Sequence, residues 1–414
     1  MSGKKFVQVL VLIGLASWAQ AQTFKIIHQF DHANGSYAQG SLTYSAAGTF
    51  MGMTSHGGVA ANNGTIFRLT TTGHETVLHN FSGKDGAYPY LGSLIKDAAG
   101  NFYGTTWYGG DLSCEGGEGC GTVFKVDPSG NETVLHNFEA QNDGQFPLST
   151  LVLDPSGNLY GTTSSGFGYG PNGLIFAVNS TTGAESVIYQ FGGAPDGSYP
   201  EAGMVRDSSG NLYGTTAFGG SGAGCGADGC GTVFELSPSG NGWKETILYS
   251  FQGGNDGELP EALIRDAAGN LYGATNVGGG SSCYNGAGCG TVFKLSPNSN
   301  GSWTETVLYR FTGFPGNDGA YPYGQLVQDE AGNLYGTTYL GGGSNACQGV
   351  IPNGCGTVFK IDSTGKETIL HKFRLTDGAY PYAGLTLDPS TSTLYGITAS
   401  GGGPGQGVVF TISR

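Results

Sequence analysis

Basic side chains are scarce in this chain: 17 Lys and Arg stand against 31 Asp and Glu in 414 residues. They never cluster, so no surface is built to neutralise a phosphate backbone, and nucleic acid is not an expected partner. Long apolar runs are missing as well. After the first 21 residues no segment approaches the roughly 20 apolar residues that span a bilayer. No helical period appears. C-x-x-C, G-x-S-x-G, H-E-x-x-H and G-x-x-x-x-G-K-[ST] are all absent, which removes the signatures of zinc sites, α/β-hydrolases, metalloproteases and phosphate loops. Glycine is abundant at 78 residues, but without a Gly-X-Y period it does not make collagen. With 22 Tyr and 22 Phe there is ample material for a core, which argues against disorder.

The first stretch has the grammar of an export signal. Lys4 and Lys5 precede an apolar core from Phe6 to Trp18, and Ala19-Gln20-Ala21 forms an A-x-A cleavage site. Residues 1–21 are therefore expected to be removed, leaving a secreted, periplasmic or cell-surface chain with no membrane span. No Cys follows the cut to carry a lipid. Without Lys4 and Lys5 the mature chain has 15 basic and 31 acidic side chains, a net charge of −16.

One phrase then recurs. Asn101-Phe102-Tyr103-Gly104-Thr105-Thr106 returns from Asn158, Asn211, Asn270 and Asn333, with looser copies at Thr49 and Thr393, seven in all. A repeat of this length signals stacked units sharing one structure. Each unit opens on an Asp-Gly turn, as in Asp85-Gly86-Ala87-Tyr88-Pro89, and then reads as four short strands. We letter them A (Ser93–Asp97 in this unit), B (Phe102–Thr106), C (Thr122–Val126) and D (Glu132–Phe138). Four antiparallel strands per unit is the pattern of a β-propeller blade. The fold expected is all-β: a seven-bladed propeller filling residues 22–414 as a single domain, with repeats at about 35–81, 86–138, 144–191, 197–251, 257–311, 319–373 and 378–412. The last repeat stops at strand C, while a D-like segment, Phe24-Lys25-Ile26-Ile27-His28-Gln29-Phe30, stands alone at the start. Residues 24–30 are thus expected to pair with the last blade and close the ring, which removes exposed sheet edges.

The motif running from Asp-Gly-x-Tyr-Pro through Gly-Asn-Leu-Tyr-Gly-Thr-Thr and Gly-Thr-Val-Phe-Lys to Glu-Thr-Val-Leu-His-x-Phe resembles the GloVer tandem repeat. That family comprises bacterial exported proteins described as choice-of-anchor. The resemblance covers nearly all of the mature chain and implies the repeat fold and export. It transfers no activity. The chain departs from the family label at its end, Thr411-Ile412-Ser413-Arg414, where no sorting anchor is recognisable.

Eight Cys fall in four close pairs, each in a B–C loop, the second member just before the Gly that opens strand C. In an exported chain this predicts the disulfides Cys114–Cys120, Cys225–Cys230, Cys283–Cys289 and Cys347–Cys355, holding loop shape rather than ligating metal. His28, His79, His136 and His371 share one strand-D position and read as structural, and His56 reads as a loop residue. The repeated Asp97, Asp154, Asp207, Asp266, Asp329 and Asp388 read as Asx residues binding turn amides. A structural calcium on these or on the Asp-Gly turns is the one metal reading that remains. No cofactor is expected.

Strand A lines a propeller's channel, and the B–C and D–A loops share one face. The residue after the Pro slot, entering strand A, varies between copies: Gln39, Tyr90, Leu148, Glu201, Glu261, Tyr323 and Tyr382. The B–C loops add Trp107, Tyr108, Phe218 and Tyr339. A mouth with aromatic plates and two acids suits sugars, because rings cover C–H patches while carboxylates accept from hydroxyls. The plain alternative is that these tyrosines pack between blades and the acids are solvated. The expectation is an exported, non-catalytic, monomeric binder of an extracellular glycan or cell-envelope polymer, with Gln39, Tyr90, Glu201, Glu261, Tyr323 and Tyr382 at the mouth. Two alternatives stand beside it: a secreted polysaccharide hydrolase or lyase using Glu201 and Glu261, and a scaffold that meets another exported protein.

Overall fold

The computed structural model describes residues 22–413 apart from positions 47, 60, 142, 167–171, 241, 281–282, 284–285, 314–317 and 348–353. The expected export signal, residues 1–21, lies outside the described residues. Among the described residues seven antiparallel blade sheets follow one another, each ordered A-B-C-D, and two short two-stranded ribbons, Gly197–Ser198 with Phe218–Gly219 and Gly319–Ala320 with Leu340–Gly341, lie beside blades four and six. In blade two these strands are Ile95–Lys96, Phe102–Thr106, Thr122–Val126 and Glu132–Asn137. The N-terminal strand Thr23–Gln29 pairs with Val408–Ser413 in register Thr23↔Ser413 to Gln29↔Val408, so the ring closes as expected. Among the described residues no helix is long and apolar enough to cross a membrane.

The repeated letters have packing reasons. The Gly of each Tyr-Gly-Thr faces the strand-C Phe, and a Cβ on Gly104 would stand 2.7 Å from Cζ of Phe124. No larger residue fits beneath that ring, which is fully buried in every blade, as Phe67, Phe234 and Phe359 also show. The second Thr of Gly-Thr-Thr meets the first Thr of strand C, hydroxyl to hydroxyl, at 2.9 Å in Thr106–Thr122 and 2.8 Å in Thr338–Thr357.

Neighbouring blades are stitched through the Asp-Gly-x-Tyr-Pro segment. Its penultimate residue is left-handed throughout: Tyr37, Tyr88, Phe146, Tyr199, Leu259, Tyr321 and Tyr380 have φ from 52° to 62°. Such a backbone is unfavourable for a side chain with a Cβ and persists only where its surroundings hold it. Here the hold is a hydrogen bond to the preceding blade: the Tyr321 amide donates to the Cys289 carbonyl at 2.9 Å, and that of Tyr380 to Cys355 at 2.9 Å. The following Pro lies on the Gly that opens the preceding blade's strand C. A Cβ on Gly121 would meet Pro147 Cδ at 2.5 Å, and its φ of +99° already demands glycine.

A second contact joins the outer strands. The strand-D ring of one blade holds the Asp of the next blade's Asp-Gly turn: His136 Nε2 lies 2.8 Å from Asp143, and the Tyr249 hydroxyl donates to Asp256 at 3.1 Å. The next blade's strand-D Glu approaches the same place, and one carboxylate oxygen of Glu75, Glu132, Glu185, Glu245, Glu305 and Glu367 is buried without a hydrogen bond. Burial pushes Glu132, Glu185, Glu245, Glu305 and Glu367 up to about 7. At the closing joint the position is filled by Phe24, whose ring stacks on His371 at 3.7 Å between centroids and 4° between planes.

All four expected disulfides are present: Cys114–Cys120, Cys225–Cys230, Cys283–Cys289 and Cys347–Cys355. The repeated aspartates cap their turns. Asp266 accepts from the Asn270 amide at 2.8 Å, the Asn270 side chain at 2.7 Å and the Tyr272 hydroxyl at 3.1 Å, and these bonds offset burial and lower its pKa.

Candidate functional site

Every blade contributes to the central channel. Gln39, Leu91, Leu148, Glu201, Glu261, Tyr323 and Tyr382 each border the same cavity, so strand-A entries face one another across the ring. The segment before strand A is anchored from the neighbouring blade. Thr215 Oγ1 donates to the Glu261 carbonyl at 3.2 Å, and the Glu261 amide donates to Ala274 O at 2.9 Å. This fixes the backbone on which the acid side chain stands.

On the loop-rich side the channel opens laterally between blades four, five and six. Glu201, Glu261 and Tyr323 border both the channel and a second depression that also holds Phe218 and Asn276. This passes into a cleft of about 560 Å³ bordered by Phe218, Asn276, Tyr323, Tyr339, Glu258 and Cys225. The Cys225–Cys230 disulfide, set in the blade-four loop, therefore forms part of a wall.

Glu201 keeps an exposed surface toward the channel, yet protein surrounds it closely enough that burial raises its pKa. Burial is deeper at Glu261 and, with the Glu201 charge beside it, holds that carboxyl well above the usual range. Among the described residues neither carboxylate accepts a hydrogen bond, and no Lys, Arg or His borders the channel, the depression or the cleft. Glu258 in the cleft is likewise raised by burial.

The aromatic residues form two arcs. Tyr323 stands 5.1 Å from Tyr382 and 5.8 Å from Tyr339, and Tyr339 lies 4.4 Å from Tyr382. Burial first, then the Glu261 charge, pushes the Tyr323 phenol up to about 12, and Tyr382 is raised by burial and its bond to Tyr339. The other arc belongs to blade two. The Trp107 ring lies tilted 5.1 Å from Tyr90 and 4.7 Å from Tyr108, and Tyr108 reaches Phe146 edge-on at 5.3 Å. So Gln39, Glu201, Glu261, Tyr323 and Tyr382 meet in the channel, and Phe218 and Tyr339 adjoin them at the cleft. Trp107 and Tyr108 do not border these cavities, and Tyr90 touches the group only through the field it exerts on Tyr382.

Asn276 was not anticipated from the sequence. It is 6% exposed, and its Nδ2 makes no hydrogen bond, although it lies close enough to the Tyr323 phenol to oppose that group's upward shift. A buried amide left in this state is a donor awaiting a partner. The signal was available: the residue after Thr-Thr is Ser55, Trp107, Ser164, Ala217, Asn276, Tyr339 or Ala399, and blade five alone carries an amide there.

The sequence profile of the Gloeobacter/Verrucomicrobia repeat matches residues 17–226 and 172–410. The chain belongs to this repeat family. Among curated protein sequences no relative was found. Of solved structures, the extracellular domain of a one-component system from B. thetaiotaomicron is similar at a TM-score of 0.54, 12% identical over 92% of this chain and 41% of that one. PorZ, a bacterial surface component of the type-IX secretion system of Porphyromonas gingivalis, is similar at 0.51, 12% identical over 92% of this chain and 46% of that one. A gluconolactonase from Xanthomonas campestris, 15% identical over 76% of this chain and 82% of that one, has a TM-score of 0.41. At 12% identity the likeness to the first two shows the propeller fold alone.

Two groups of the described residues bring three metal-ligating atoms together: His79, Asp85 and Glu132, and Cys225, Cys230 and Glu258. In the second, both sulfurs are committed to a disulfide. The first is one of the repeated joints between blades, and its His is replaced by Tyr189, Tyr249 and Tyr309 elsewhere. That substitution favours a packing role over a metal centre.

Proposed function

We propose that the repeat propeller is an exported, non-catalytic binding protein that holds a glycan or cell-envelope polymer where its channel opens between blades four and six. The observation that carries this reading is the meeting of unpaired carboxylates, an unpartnered amide donor and tyrosine faces in one continuous depression. Carboxylates and the amide match hydroxyl groups, and rings match the C–H faces of a sugar. Pockets with few convergent polar groups on aromatic walls are the usual form of such sites. Export is supported by the four disulfides, which persist in oxidising compartments.

The test is to incubate the protein with a panel of polysaccharides while scoring retention and released reducing ends together. Retention without release, abolished by Tyr323→Ala combined with Tyr382→Ala, is the expected result. Retention that survives both changes would place the ligand elsewhere. A hydrolase is the second reading, favoured by the contrast between Glu201 and the more strongly raised Glu261, since glycosidic cleavage uses one protonated and one ionised carboxyl. Release of reducing ends that disappears in Glu261→Gln would establish it.

A further inference from the structure

Four carboxylates follow the depression from channel to cleft, Glu201 and Glu261 at its inner end and Glu258 and Asp228 at its outer end. No basic side chain among the described residues borders any part of it. A neutral sugar has no need of such a surplus: hydroxyls are satisfied by mixed donors and acceptors, whereas carboxylates crowded without a counter-charge repel, which biases Glu261 toward its neutral form until a cation arrives. A cation in the same space relieves that repulsion and gains charge-assisted hydrogen bonds. Tyrosine faces add to this, because a positive charge is drawn to the ring quadrupole. Tyr323 and Tyr339 stand beside this acid track, and Asn276 Nδ2 is a buried donor that no ammonium group could use. The site thus asks for a ligand with both a positive charge and oxygen acceptors.

Building on the glycan reading above, we propose that the ligand is an amine-bearing glycan, a deacetylated hexosamine oligomer whose ammonium lies against Glu201 and Glu261 while a neighbouring hydroxyl or ring oxygen accepts from Asn276. An extended oligomer would run from the channel to the cleft over Tyr323, bringing a second ammonium toward Glu258. N-acetylation removes the charge and adds bulk, so the acetylated oligomer loses the contact that selects this ligand.

The experiment is calorimetric titration of the full-length exported chain at pH 6, after chelator treatment, with a glucosamine tetramer, an N-acetylglucosamine tetramer, cellotetraose and spermine. We expect the glucosamine tetramer to bind about tenfold or more tightly than both neutral tetramers, the worth of one charge-assisted hydrogen bond. Glu261→Gln and Glu201→Gln, which keep side-chain shape, should each reduce that preference to within about twofold. Asn276→Ala should weaken all three sugars alike and leave the ratio in place. Equal affinity for charged and neutral tetramers overturns the inference while leaving the glycan reading intact. Spermine matching the glucosamine tetramer overturns it in favour of a simple cation site. No affinity for any tetramer overturns both.

Discussion

The joint between blades three and four gives a sharp test of how these blades are held together. The Tyr189 hydroxyl donates to one oxygen of Asp196 at 3.2 Å, while the other Asp196 oxygen and one Glu245 oxygen are buried without partners. Among the described residues no basic side chain offsets the Glu245 shift. Burial, then the Asp196 charge, raises Glu245 from 4.5 to about 7. A carboxyl displaced that far would cost about 3.4 kcal/mol at pH 8 if fully enclosed. The Glu245 side chain is only half-buried, and solvent screening brings the figure to about 1 kcal/mol. The folded state holds this proton more tightly than the unfolded one. Its stabilising effect is therefore complete below pH 4.5 and is lost as pH rises toward 7. Glu245→Gln mimics the protonated acid without titrating. It should raise unfolding free energy by about 1 kcal/mol at pH 8 and change little at pH 4.5, read from urea titrations. Destabilisation by a similar amount at both pH values would refute the reasoning, since it would mean the ionised carboxylate is well satisfied. Because Glu132, Glu185, Glu305 and Glu367 are raised in the same way, the whole protein should unfold at higher urea near pH 5.5 than near pH 8.

Other parts of the frame can be probed independently. Gly273→Ala places a Cβ 2.7 Å from Phe293 Cζ and 3.0 Å from Leu263 Cδ2, and should cost about 1–3 kcal/mol by overpacking; thermal unfolding unchanged from the parent would show that the ring can yield. Phe24→Ala removes the ring stacked on His371 and set 5.5 Å from Phe410, so the closing strand should loosen by about 2 kcal/mol, seen as faster amide exchange along Val408–Ser413. Replacing Cys225 and Cys230 together by Ser opens a loop whose closure is worth about 2 kcal/mol, and because Cys225 borders the cleft, glycan retention should weaken beyond what the stability change explains.

Most of the fold was legible in the chain because a repeat prints the same instructions several times. Alternation and turn chemistry set the strands: strand C begins at Thr65, Thr122, Leu174, Thr232, Thr291, Thr357 and Val408, each directly after a Gly and on a copy of one repeated phrase. The orphan segment from Phe24 could be assigned to the last blade because its pattern matched Glu367–Lys372. The site was legible in part: a variable position within a constant background marked Glu201, Glu261, Tyr323 and Tyr382. Trp107 holds the loop position of Tyr339 and Tyr108 that of Phe218, yet their rings pack against Tyr90 and Phe146 within blades two and three.

Local order along the chain therefore determined the blade count, the strand sequence, the closure and the disulfides, since each depends on residues close in sequence or on a repeated spacing. Tertiary structure decided what no spacing encodes. It brought Asn276 beside Tyr323 with an unpaired amide, set Glu245 and Asp196 against Tyr189 of the previous blade, and held seven side-chain-bearing residues in a left-handed backbone through bonds to their neighbours. These contacts cross from one blade to the next. Their partners are chosen by the curvature of the closed ring, and only the folded ring states which side chains end up facing each other.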